Sequence, residues 1–177
     1  MRRIATAPRE NLTEKLESLG FGYHSLDGLY WDECAYYEFN LHEINKLETA
    51  TAELWQMYLE AVEHVISKDL FFKFHIPEWF RPAIIKSWEE DFPSVYGRFD
   101  LGFDGENVKL LEFNADTPTS LYEAAVIQWH WLQERFPKRD QFNSIHEKLV
   151  DYWKYLKPFL SCDFVHFASM TNVEDVT

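Results

Sequence analysis

The chain is poor in the residues that would mark several protein classes. It has only two cysteines, Cys34 and Cys162, in 177 residues. They lie far apart and form no CxxC pair, so neither a disulfide framework nor a cysteine-held zinc site is expected. Basic residues are also few: 17 Lys and Arg stand against 30 Asp and Glu, a net charge of −13. Without clustered bases there is nothing to neutralise a polyphosphate backbone, which argues against nucleic acid as a partner. Long apolar runs are missing too. Met1-Arg2-Arg3-Ile4 does not lead into an apolar signal core, and no run of ~20 apolar residues occurs. The expectation is a cytoplasmic protein with reduced thiols and no membrane partner. No repeat, low-complexity tract or flexible linker interrupts the chain.

What is present points to a folded domain, or a piece of one. Hydrophobic residues make up 46% and aromatics 18%, far from a disordered composition. The acidic surplus would suit cationic ligands such as metals, amines or polyamines, although it also serves solubility.

The elements divide near Pro93. Before it the pattern is helical. A short helix is plausible over 10–18, broken by Gly20 and Gly22. The aromatic stretches 28–31 and 35–39 read as strands or packed loops. Asn40 and Glu43 have the spacing of a capping box. Ile44, Leu47, Leu54, Tyr58, Ala61, Val62 and Val65 then recur at helical spacing to about Ser67. A further helix over 78–90 follows Pro77, a residue suited to a first helical turn. After Pro93 the period changes to two, with strands at 96–103 and 108–114 joined by Asp104-Gly105-Glu106-Asn107, a hairpin turn composition. Ser120 and Glu123 suggest a second capping box, opening a helix that Pro137 stops. Residues 140–157 read as a helix and 163–168 as a buried strand. The whole is an α+β arrangement of helices around a mixed or antiparallel sheet, with a helical region over 1–92 and the hairpin, helices and following strand over 93–177. The final residues, 172–177, look like a loop leading into something more, so truncation is expected.

The hairpin carries the chemistry. Side chains alternate faces along a strand, so Phe99, Leu101 and Phe103 share one face while Arg98 and Asp100 share the other. On the second strand Leu111 and Phe113 oppose Glu112 and Asn114. The apolar pattern favours the register with Asp100 opposite Glu112 and Arg98 opposite Asn114, pairs ~5 Å apart at Cβ. Two carboxylates so close repel unless a cation lies between them. Mg²⁺ with a few carboxylates and phosphate oxygens matches Asp100, Glu112 and the Asn114 amide. Arg98 would add a fixed positive charge for a transferring phosphoryl group. Beyond the strand, the hydroxyls of residues 117–120 and the free N–H groups of a helix start favour anions. The bland alternative is a solvated hairpin face with an Arg98–Asp100 surface pair worth under ~1 kcal/mol, and a Ser120 that only caps its helix.

At these residues the sequence resembles the glutathionylspermidine synthase family, whose synthetase domain is a variant ATP-grasp ligase. The resemblance rests on R-F-D-x(11)-E-x-N-A-D, here Arg98, Phe99, Asp100, Glu112, Asn114, Ala115 and Asp116. Trp31-Asp32-Glu33 and Ala35-Tyr36-Tyr37, with the following Leu-Glu-x-Ala-Thr helix, extend it over most of the chain. The resemblance implies the N-terminal part of an ATP-grasp-type fold and ATP-dependent amide ligation. A carboxylate would attack the γ-phosphate of ATP to give an acyl phosphate, and an amine would then displace phosphate. It implies that Asp100, Glu112 and Asn114 ligate Mg²⁺ and that Arg98, with Asp100, meets the ATP phosphates. Thr117, Thr119 and Ser120 would hold the acyl substrate, a small-molecule or peptide carboxylate. In the family the rest of the nucleotide clamp lies downstream, beyond Thr177, so the isolated chain is expected to be inactive.

Other features have plainer explanations. Trp129-His130-Trp131 lies in an apolar helix and reads as packing. His64 and His75 are isolated, and Glu89-Glu90-Asp91 reads as a solvated helix end. A different class of function is a non-catalytic binding module, or a pseudo-ligase fragment, that recognises an amine, a polyamine or a protein. A glycosidase built on Asp100 and Glu112 is disfavoured because Arg and Asn flank them in a metal-like set.

Overall fold

The computed structural model describes residues 1–25, 28–116, 118–160 and 164–166. The elements in chain order are β1 (Arg2–Ala5), α1 (Leu12–Ser18), β2 (Ala35–Glu38), α2 (Leu41–Ser67), α3 (Arg81–Glu89), β3 (Arg98–Phe103), β4 (Val108–Asn114), α4 (Gln128–Arg135) and α5 (Ile145–Leu156). Two compact units result, one of Met1–Asn40, Val95–Leu101 and Leu110–Thr177, the other of Leu41–Ser94 and Gly102–Lys109.

The first unit is built around aromatic packing. Leu16, Phe21, Tyr23 and Ile127 form its buried cluster, with Leu12, Leu19, Trp31 and Tyr122 against it. α1 ends in a way the sequence dictates. Gly20 takes φ +84°, the left-handed conformation that favours glycine. Its N–H reaches the Glu17 carbonyl at 2.9 Å and the Phe21 N–H reaches Leu16 at 2.9 Å. That pair of bonds closes the helix and places Phe21 back on Leu16, where the core begins. β1 and β2 pair antiparallel with Ile4 opposite Tyr36. β1 is an element that four residues with two arginines do not announce. Glu38 at the end of β2 is clasped by Arg2 and Arg139.

A buried ion pair ties the N-terminal loop to the rest of this unit. Arg9 and Glu33 are almost fully enclosed, with side-chain exposures of 2% and 1% and an Nη2–Oε1 distance of 2.7 Å. Glu33 also accepts from the Arg9 backbone N–H at 3.2 Å and from Trp31 Nε1 at 3.1 Å. The remaining Arg9 nitrogen, Nη1, reaches Glu134 on α4 at 3.3 Å.

The second unit is dominated by α2, whose 27 residues span about 40 Å. Beyond it Phe71 is buried. The Arg81 guanidinium lies 5.5 Å from its ring centre and donates to Asp69 at 3.0 Å. Trp88 of α3 donates to Glu63 of α2 at 2.6 Å. Pro82 sits in the first turn of α3, while Pro77 precedes a separate 3-10 turn, Glu78–Phe80. The single helix expected over 78–90 is therefore split.

Other expectations need correction. Among the described residues the strands form two separate two-stranded sheets, β1–β2 and β3–β4. The last helix starts at Ile145 rather than near 140. Of the strand expected over 163–168, residues 164–166 have no strand structure and Phe164 and Val165 are exposed; the others lie outside the described residues, as do 172–177. No described helix is long and apolar enough to cross a membrane.

Candidate functional site

The β3–β4 turn is fixed by its first residue. Asp104 Oδ1 accepts from the N–H groups of Glu106 at 2.8 Å and Asn107 at 2.7 Å, and Oδ2 accepts from the Asn107 amide at 3.0 Å. Those donors, the Asn107 side chain first, pull the Asp104 carboxyl down to about 2. Gly105 supplies the positive φ of +100° that the turn requires.

At the other end of the hairpin, the Phe99 and Phe113 rings meet with centroids 4.4 Å apart. A Cβ on Gly97 would come within 3.0 Å of the Phe113 ring, so glycine lets the strand entrance lie close to it. On the opposite face Arg98 organises the polar groups. Its Nε donates to Asp100 Oδ1 at 2.8 Å and Nη2 to Oδ2 at 3.3 Å. Nη1 donates to the Thr119 carbonyl at 2.7 Å and its hydroxyl at 3.3 Å. The Asn114 amide, oriented to satisfy both neighbours, accepts from Arg98 Nη2 at 3.2 Å and donates to Glu112 Oε1 at 3.0 Å. The Phe99–Phe113 and Arg98–Asn114 contacts are those of the register with Arg98 opposite Asn114.

The charges respond as this geometry requires. The Arg98 guanidinium holds the Asp100 carboxyl below the ordinary carboxylate range, and its hydrogen bonds to Asp100 raise Arg98 in turn. Burial pushes the Tyr96 hydroxyl up, against the pull of Arg98, and the carboxylates of Glu123 and Asp100 add to the rise.

Arg98, Asp100, Glu112, Asn114 and Thr119 thus form one connected chain of hydrogen bonds. Ser120 follows Thr119 with φ +69°, a left-handed conformation costly for a non-glycine residue. Thr117 lies outside the described residues.

The sequence reading missed Glu123. It does not close a capping box with Ser120. It is buried at 6% exposure, accepts from the Tyr30 hydroxyl at 2.6 Å, and its Oε2 is buried with no hydrogen-bond partner among the described residues. It opens a π-helical stretch, Glu123–Ile127, a distortion often found at functional sites. Spacing alone could not separate a cap from this buried carboxylate.

No group of three or more His, Cys, Asp or Glu side chains gathers as a metal cage among the described residues. The hairpin donors are of another kind. Asp100 and Glu112 offer carboxylate oxygens and Asn114 an amide oxygen, the hard donors that Mg²⁺ takes alongside water and phosphate. In donor type the set fits such an ion.

Fold and site together define an α+β domain with an arginine-organised carboxylate and amide face on a hairpin. The family model described as glutathionylspermidine synthase preATP-grasp matches residues 3–177, and the chain belongs to that family. It is 42% identical over 179 residues to a Haemophilus influenzae protein that carries the name putative acid–amine ligase, an alignment covering 97% of this chain and 46% of that one. It is 30% identical over 149 residues to the bifunctional glutathionylspermidine synthetase/amidase of Escherichia coli, covering 81% of this chain and 23% of the relative. Trypanothione synthetase of Crithidia fasciculata is 29% identical over 122 residues, covering 67% and 17%. The chain therefore spans less than half the length of each of these relatives.

Proposed function

We propose that the chain forms the pre-ATP-grasp part of an ATP-dependent carboxylate–amine ligase and carries its metal, phosphate and acyl-substrate half-site. A substrate carboxylate oxygen bonds to the γ-phosphorus of ATP and ADP leaves. The amine then attacks the acyl carbon, phosphate departs, the nitrogen loses its proton, and an amide remains. The observation that carries this reading is the Arg98 guanidinium, which joins Asp100, Asn114 and Thr119 at the junction of a strand face and a helix start.

In this reading Asp100, Glu112 and Asn114 hold Mg²⁺, whose charge offsets that of the phosphates when the ion is bound. Arg98 binds and orients the phosphoryl oxygens, with its position set by Thr119. Thr119 and Ser120 line the place of the acyl substrate, to which the family resemblance also assigns Thr117. The relatives carry further length that this chain does not cover, and in this reading the rest of the nucleotide clamp lies there.

The test is ADP release by a longer protein that contains this chain together with the remaining length its relatives carry. Release that requires Mg²⁺, a peptide carboxylate and an amine together is the expected result. A protein that binds amines or protein partners with no ATP turnover would instead establish a binding module.

A further inference from the structure

Arg98 touches two of the three side chains assigned to the cation. Its Nε and Nη2 cover both Asp100 oxygens, at 2.8 and 3.3 Å, and Nη2 also meets the Asn114 amide oxygen at 3.2 Å. The oxygens a divalent ion needs are therefore already donated to by a positive charge. We infer that Arg98 and a divalent cation compete for Asp100 and Asn114, so that cation binding unlatches Arg98 and makes it available to an anion. This rests on the metal reading proposed above and adds an order of events to it.

A cation that takes an Asp100 oxygen stands a few Å from the guanidinium, and like charges at such range repel even when water screens them in part. Cation and Arg98 thus weaken one another's hold on Asp100, and the effect is reciprocal by linkage. Arg98 does not then drift away, because its third nitrogen has a separate anchor. Nη1 rests on the Thr119 carbonyl at 2.7 Å and the hydroxyl at 3.3 Å, neither of which is a proposed cation ligand. The guanidinium turns about that contact, and Nε and Nη2 become free donors at the helix start. An anion-binding arginine appears only once the cation has arrived. Without the cation, Arg98 remains neutralised by Asp100 and leaves little net charge to attract a stray phosphate.

The exposure of the pair is what makes exchange feasible. Arg98 and Asp100 side chains are 30% and 37% exposed, so water can solvate the partners while they separate. The enclosed Arg9–Glu33 pair has no such freedom.

The test uses Mn²⁺ as the probe, its free-ion paramagnetic resonance signal reporting binding to the 177-residue chain without nucleotide. Arg98→Met is expected to bind Mn²⁺ roughly three- to tenfold tighter than the unaltered chain, the scale of a partly exposed, charge-assisted pair, and Asp100→Asn to bind it more weakly. In the unaltered chain, Mn²⁺ is expected to speed modification of Arg98 by an arginine-specific dicarbonyl, located by mass spectrometry. That measurement needs no variant to fold. Unchanged or weaker binding by Arg98→Met, or an Arg98 reactivity indifferent to Mn²⁺, overturns the latch while loss of binding in Asp100→Asn keeps the metal reading. Absence of Mn²⁺ binding in all three proteins overturns both.

Discussion

Tyr30 and Glu123 lie 93 positions apart, yet the tyrosine hydroxyl donates to Glu123 Oε1 at 2.6 Å. The bond brings the loop before β2 onto the start of the π-helical stretch, one turn beyond the Thr119 anchor of Arg98. Tyr96, whose hydroxyl feels Arg98, Glu123 and Asp100 together, connects this carboxylate electrostatically to the hairpin face. One oxygen of Glu123 is thus satisfied within the fold, and the other is buried with no hydrogen-bond partner among the described residues. A protein rarely tolerates that without a use for it.

Replacing Tyr30 by Phe removes the donor and leaves the carboxylate buried. The expected loss is about 1–3 kcal/mol, the cost of an unsatisfied buried acceptor, read from urea unfolding of the chain. A Tyr30→Phe, Glu123→Met double variant should recover much of it. A single-variant loss below ~0.5 kcal/mol, under the usual worth of one hydrogen bond, would mean the hydroxyl gives Glu123 nothing.

The Arg9–Glu33 pair supports a larger effect. Arg9→Met strands an enclosed carboxylate, and the expected destabilisation is about 3–5 kcal/mol. Combining Arg9→Met with Glu33→Leu should cost much less, because no charge is left without a partner. Equal losses in the single and double variants would contradict the assignment.

The parts of this structure that sequence reveals are those governed by local period. Alternation placed Arg98 and Asp100 on one face and Phe99 on the other, and the Phe99–Phe113 contact follows from the same count. α2 was legible from its spaced apolar residues, and its observed end at Ser67 agrees with them. What stayed hidden depends on distant partners. The Ser120-to-Glu123 spacing fits a cap equally well until Tyr30 is known to be near. The start of α5 is similar: Asn143, within the expected helix, instead reaches the Ala124 carbonyl at 3.4 Å. β1 has too few residues to show an alternation, and only its pairing with β2 makes it a strand.

The Asp104 turn predicts a pH response with a definite sign. Its folded-state carboxyl lies at about 2 against an ordinary 3.8. A depressed carboxyl stabilises the fold while ionised, so its contribution is complete above about pH 4 and is lost as pH falls towards about 2. Proton NMR of the Glu106 and Asn107 amides should show a titration with its midpoint near the lower value. Asn107→Ala removes the largest cause and should raise that midpoint. A midpoint near the ordinary value in the unaltered chain would show that the turn does not hold the carboxylate.

Asp100→Asn separates a structural ion pair from a working site. The amide matches the carboxylate in shape but has no charge, and its NH₂ end would face the donors of Arg98. With both partners about a third exposed, the pair contributes no more than ~1 kcal/mol to folding, so the thermal midpoint should change little. In a longer protein that turns over ATP, the same substitution removes a carboxylate from the proposed cation set, while Arg98 keeps its Thr119 anchor. Loss of such transition-state stabilisation is worth about 10²–10³ in kcat or more. The expected outcome is therefore an intact fold with turnover reduced at least about a hundredfold, most of it in kcat. Added Mg²⁺ should recover part of the loss if Asp100 acts on the cation, and none if it acts only through Arg98. Turnover close to that of the unaltered protein would remove both the metal and the phosphate assignments from the hairpin.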